Sequence, residues 1–78
     1  MRVKKPRLIV TFHTTTAAMG MESACAKAGL PGRLIPVPRE ITAGCGMAWS
    51  APVEARTLLE AFVQQENITT AGWYELTL

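Results

Sequence analysis

The run Leu8-Ile9-Val10-Thr11-Phe12 narrows the possible folds most, because it is apolar on both faces of an extended chain. Leu8, Val10 and Phe12 alternate on one side and Ile9 lies on the other, among β-branched and aromatic neighbours. The segment reads as a first strand after Pro6, and as a central one. Thr14, Thr15 and Thr16 follow with N-cap hydroxyls. Ala17, Met21, Cys25 and Ala28 then recur at helical spacing until Gly29 supplies a C-terminal stop. A helix is predicted from about Thr15 to Ala28. Gly20 inside it costs about 1 kcal/mol relative to Ala, which suggests close approach to a neighbouring element.

Leu30-Pro31-Gly32 reads as a turn, and Arg33-Leu34-Ile35-Pro36-Val37 as a second strand. Pro36 and Pro38 cannot donate to a ladder, so that strand belongs at a sheet edge. Met47-Ala48-Trp49-Ser50 is a short third strand, able to pair back on the second as a hairpin with a long, irregular tip. Pro52 suits a first helical position, and Ala55, Leu58, Leu59 and Phe62 at period 3.6 carry a second helix to about Gln65. Met19, Met21, Leu58 and Phe62 read as core-stripe residues. Asn67 to Gly72 is a connection, and Trp73 to Leu78 closes with strand character.

The order strand, helix, strand, strand, helix, strand predicts an α+β fold of the ferredoxin-like split βαβ type (βαββαβ). It implies a four-stranded antiparallel sheet in the order 4-1-3-2 with two helices on one face. The second strand is an edge in that order, as its prolines already require. The first and second strands would run in the same direction. The loop before Met47 and the start of the first helix would then share one end of the domain.

At 78 residues the chain is expected to form one small domain, 1–78, with residues 1–6 as a basic N-terminal tail. A fold of this size buries only about 60% of the unfolded chain's surface, so any site must lie near the exterior. Hydrophobic residues make up 49% and charged ones 18%, a globular composition. The net charge of +2 owes much to Arg2, Lys4, Lys5 and Arg7, which read as a solvated end. Five aromatics scattered over the chain do not form the interleaved basic and aromatic face that nucleic-acid binding would want. Two cysteines are too few for a secreted disulfide framework, so a reducing cytoplasm is the expected location. No apolar segment has the length of a signal peptide's core or of a membrane span, and no membrane partner is expected. The chain is expected to act alone or as a small homo-oligomer.

The chemistry points to one loop, Pro36-Val37-Pro38-Arg39-Glu40-Ile41-Thr42-Ala43-Gly44-Cys45-Gly46. Gly44 and Gly46 remove the side chains that would cover the Cys45 sulfur and let the backbone approach closely. Exposed free thiols are avoided unless used, so Cys45 is the candidate functional residue. A thiol acts as nucleophile or carrier only as the thiolate, and with an ordinary pKa of about 8.5 it needs positive potential nearby. Arg39 in the same loop, the helix start at Thr14 to Thr16, and His13 are the available sources. Successive amides around Gly44 and Gly46 could also form an anion-binding nest. Each has a plainer role: Arg39 as a solvated edge charge, His13, Thr14 and Thr15 as end and cap residues. Cys25 lies in a helix stripe and reads as core. No Cys-x-x-Cys, paired carboxylates, Gly-x-Gly-x-x-Gly or P-loop occurs, so no metal site, cofactor or self-contained active site is expected.

Phe12-His13-Thr14-Thr15 before an alanine-rich helix with Glu22, then Leu34-Ile35-Pro36-Val37-Pro38-Arg39-Glu40-Ile41 and Gly44-Cys45-Gly46-Met47-Ala48, resemble the sulfur/selenium carrier protein-like family. The likeness covers roughly residues 8 to 75. This small domain also occurs fused behind sulfurtransferase-like modules of the type associated with selenium metabolism. The resemblance implies a carrier role for Cys45, holding a persulfide or selenopersulfide, with Pro38, Arg39, Gly44 and Gly46 shaping its loop. The implied partners are sulfur or selenium donor and acceptor proteins. The Cys-Pro-x-Pro motif of better-known sulfur-relay carriers is missing, and the likeness to those proteins is one of size and role. From the residues alone two further readings stand. One is a module that senses a small anion or binds a partner through the helix start and the Cys45 loop. The other is a thiol enzyme completed by a second chain.

Overall fold

The computed structural model describes residues 5–41 and 44–77. Arg2 and Lys4 of the expected basic tail, Thr42 and Ala43 of the cysteine loop, and Leu78 lie outside the described residues. The elements are β1 (Pro6–Thr11), α1 (Thr15–Ala28), β2 (Arg33–Pro36), β3 (Met47–Pro52), a 3-10 turn (Val53–Ala55), α2 (Arg56–Gln65) and β4 (Gly72–Thr77). The four strands form one antiparallel sheet in the order β2-β3-β1-β4, with β1 central and β2 at an edge. This is the predicted α+β ferredoxin-like arrangement.

Strand alternation divides the sheet into two faces. On one, Leu8, Val10 and Phe12 meet Trp49 and Ala51 beneath Ala18, Met21 and Cys25 of α1 and Leu59 and Val63 of α2. On the other, Ile9 and Ala48 are buried together with Ile41, flanked by Ile35, Val37, Tyr74 and Leu76. No helix among the described residues supplies cover there. Ile41 does, so the loop after β2 folds back over that face.

Both helix ends of α1 are built by local chemistry. The Thr14 hydroxyl accepts from the Ala17 N–H at 3.1 Å, and Gly29 closes the helix at φ 71°, in the left-handed region that only glycine enters cheaply. The next turn depends on Gly32, at φ 124°, because a Cβ there would overlap the Trp49 indole nitrogen and lie 2.7 Å from the Ser50 carbonyl oxygen. Trp49 Nε1 donates to the Pro31 carbonyl at 3.3 Å, which ties the turn to β3.

Three expectations are corrected. Met19 and Leu58 are 58% and 53% exposed, not core. At 100° per residue they fall to the side of the buried arcs set by Ala18, Met21 and Cys25, and by Leu59 and Val63. Gly20 makes no close approach: a Cβ there would meet nothing within 4 Å. Pro52 ends β3 instead of opening the helix, and a 3-10 turn intervenes before α2 begins at Arg56. The turn arises because Pro52 is held extended at ψ 143° by its pairing opposite Arg7.

Candidate functional site

The central strand and the cysteine loop meet at one end of the sheet. The Cys45 N–H donates to the Phe12 carbonyl at 2.9 Å, and Gly44 sits so close that a Cβ would lie 3.0 Å from that same oxygen. The Val37 N–H donates to the Gly46 carbonyl at 3.0 Å, which extends the β2-β3 hairpin by one rung and closes the base of the loop. Gly44 and Gly46 adopt φ 103° and 93°, conformations an L side chain resists. The glycines flanking Cys45 are therefore required by backbone geometry, as well as leaving the sulfur uncovered.

Between these anchors the chain turns from one face of the sheet to the other. Gly44 lies against the Thr11 side chain, on the face without helices, and Cys45 packs against the helix-side core. Cys45 is half-buried and free, and its thiol donates to the Met47 carbonyl over a long 3.8 Å. Cys25 is also free but fully buried, and burial pushes its thiol up to about 11. Of the two thiols only Cys45 is open to a reactant.

The other expected site residues divide into two groups. Pro38 is half-buried, and its carbonyl accepts from the Ile41 N–H at 2.9 Å, making a turn with the exposed Arg39 at its second position. Arg39 makes no hydrogen bond or ion pair among the described residues. His13, Thr14 and Thr15 are exposed at the start of α1, next in sequence to Phe12. His13 and Thr14 turn toward a cleft of about 480 Å³, shared with Ala17, Gly20, Asn67 and Ile68, which Cys45 does not line. The structure thus joins Gly44, Cys45 and Gly46 to the strand that leads into His13, while the helix-start cleft opens elsewhere.

Of the amides in the expected nest, the Cys45 N–H is committed to the Phe12 carbonyl. The residue that sequence reasoning missed is Phe12. The strand pattern places its side chain on one face, and nothing in that pattern signals that its carbonyl holds the cysteine loop. Among the described residues no three His, Cys, Asp or Glu side chains group as metal ligands, and no helix is long and apolar enough to cross a membrane.

No curated protein and no solved structure matches this chain. A family model does: residues 7–75, which hold the whole sheet except its outermost positions and the entire cysteine loop, match the family described as "Putative Se/S carrier protein-like", and the chain belongs to that family.

Proposed function

We propose that the protein carries a sulfane sulfur or a selenium atom on Cys45, between a donor and an acceptor protein, without turning over a substrate of its own. The observation that carries this reading is the Cys45 N–H bound to the Phe12 carbonyl, which holds a half-buried free thiol between two left-handed glycines at the end of the central strand. A thiol fixed by its own backbone can be presented to two partners in the same geometry. Loading is redox-neutral. The Cys45 thiolate attacks the outer sulfur of a donor persulfide, that donor's S–S bond breaks, and the donor thiolate leaves as the Cys45 persulfide forms. Unloading reverses the roles: a nucleophile on the acceptor takes the outer atom and Cys45 leaves as thiolate.

Arg39 on the turn, with His13, Thr14 and Thr15 at the neighbouring helix start, would supply positive potential to the persulfide anion. Pro38, Gly44 and Gly46 set the path of the loop. Incubation with a persulfide donor followed by intact and peptide mass spectrometry tests the reading. A gain of one sulfur atom on Cys45, absent in Cys45→Ser, is expected; an unmodified Cys45 peptide overturns it.

A second reading is favoured by the cleft at the start of α1, where His13, Thr14 and Asn67 offer polar groups over an Ala17, Gly20 and Ile68 floor. There the protein would bind a small anion or a partner, and Cys45→Ser would retain the binding.

A further inference from the structure

The two edges of the sheet are unlike. β2 is four residues long and ends in Pro36, two of the devices that keep an edge from pairing with another chain. β4 is six residues, Gly-Trp-Tyr-Glu-Leu-Thr, with neither Pro nor Lys. Its one charged side chain, Glu75, accepts from Arg56 of α2 at 2.7 Å and is drawn toward the helix-bearing face.

The backbone directions on β4 follow from β1. A residue in an antiparallel ladder aims its N–H and C=O at the same neighbour, and successive residues alternate. The Thr11 carbonyl accepts from the Ala71 N–H on the β4 side, while the Phe12 carbonyl accepts from Cys45 on the β3 side. Arg7, Ile9 and Thr11 therefore pair toward β4. Their register partners Leu76, Tyr74 and Gly72 pair inward, leaving the N–H and C=O groups of Trp73, Glu75 and Thr77 on an edge that no other described strand pairs with.

We propose that this edge pairs with the β4 of a second copy of the chain, antiparallel about a two-fold axis at Tyr74, to give a continuous eight-stranded sheet. A two-fold pairing must match outward residues with outward residues, and this register sets Trp73 opposite the partner's Glu75 and Tyr74 opposite the partner's Tyr74. Centring on Glu75 instead would place two carboxylates face to face. The contact is isologous, and the short, proline-ended β2 edge stops growth at two chains. Tyr74 and Leu76 of the two copies would extend one apolar strip across the helix-free face. Because the paired strands are antiparallel, the two Cys45 loops come to lie at opposite ends, each open to its own partner. The dimer does not depend on what Cys45 carries.

The mass of the full chain in sedimentation equilibrium tests this across a concentration series. Wild type and an Arg33→Glu control on the β2 edge should both approach twice the chain mass, and Glu75→Pro, which lacks the outward N–H, should fall to half that value. Hydrogen exchange supplies a readout that does not depend on how Glu75→Pro folds: the Trp73, Glu75 and Thr77 amides should exchange slowly in the dimer. Tyr74→Cys in a Cys45→Ser background should form an interchain disulfide on oxidation. A wild-type chain that stays at single-chain mass with fast exchange at these three amides overturns the proposal. So does a dimer in which they exchange fast, or a monomer that protects them only when another protein's strand is added.

Discussion

The Cys45 N–H and the Phe12 carbonyl, 2.9 Å apart, join the tip of the β2-β3 loop to the end of the central strand. Phe12 is itself fully buried beneath the helices, so the thiol-bearing loop is anchored to a core strand of the domain. The proposed carrier would benefit from such an arrangement, because its sulfur would meet two different partners in one orientation. The same bond commits the Cys45 amide, one of those expected to face an anion. On the proposed carrier reading, stabilisation of a persulfide would rest on side chains such as Arg39, which is exposed and uncommitted among the described residues.

The two thiols should react very differently. Iodoacetamide at neutral pH is expected to modify Cys45 and spare Cys25, since Cys25 is fully buried and burial holds it protonated up to about 11. Peptide mass spectrometry after timed quenching reads this directly. In denaturant both should be labelled, and equal labelling in the native protein would show that the core opens around Cys25.

The same burial gives a pH signature. The Cys25 thiol rises from its ordinary 9.0 to about 11 on folding, so the folded chain holds this proton after the unfolded chain has lost it. The stability this contributes is complete below about pH 9 and is lost as pH climbs through about 11, because the unfolded state binds fewer protons in that window. Urea unfolding between pH 8 and about 11 should show a steeper alkaline decline in wild type than in Cys25→Ala. The difference between the two chains isolates Cys25 from Tyr74 and the lysines.

Much of this architecture is legible in the residues because local and long-range signals coincide. Leu8 to Phe12 reads as a central strand, Pro36 as an edge position, and Thr14 with Gly29 brackets a helix, while the βαββαβ element order supplies the sheet order. The helix stripes are less legible: Met19 and Leu58 are apolar and near the right spacing, but which arc of a helix faces the sheet is decided by packing that periodicity does not encode. The site divides in the same way. Gly44 and Gly46 announce a special backbone around Cys45, whereas the acceptor holding it is a main-chain oxygen, and every residue has one. Gly32 reads as part of a turn, and its close approach to Trp49 depends on a partner far along the chain.

That approach makes Gly32→Ala a severe change. Its Cβ would overlap the Trp49 indole and press on the Ser50 carbonyl from 2.7 Å, in a conformation at φ 124° that alanine resists. A loss of roughly 2–4 kcal/mol is expected, combining backbone strain with displacement of a core side chain. Chemical unfolding followed by tryptophan fluorescence would register both the lower midpoint and an altered native signal. Unchanged stability would mean that the turn can move off Trp49 at little cost.

Thr14 should behave as a cap. Its hydroxyl is already occupied by the Ala17 N–H at 3.1 Å, so Thr14→Ala should cost about 1 kcal/mol of stability and Thr14→Ser should restore it. If the hydroxyl also serves a bound anion, Thr14→Ala will lower persulfide loading on Cys45 by more than its lost stability explains. Thermal unfolding and loading measured on the same three proteins separate the two roles.

The two loop glycines offer the sharpest contrast. Both have positive φ, so replacement by alanine costs each roughly 1 kcal/mol or somewhat more in backbone strain. At Gly46 the added methyl meets nothing within 4 Å, whereas at Gly44 it sits 3.0 Å from the Phe12 carbonyl oxygen, the acceptor for Cys45. Gly44→Ala must push the loop away from that oxygen and loosen the bond that positions the thiol. Gly46→Ala should therefore keep the Cys45 amide slow to exchange with solvent. Gly44→Ala should make it exchange faster and should slow persulfide loading, at similar cost to global stability. Equal exchange of the Cys45 amide in the two variants would show that the Phe12 contact does not hold the loop, and would remove the main geometric support for Cys45 as a positioned carrier.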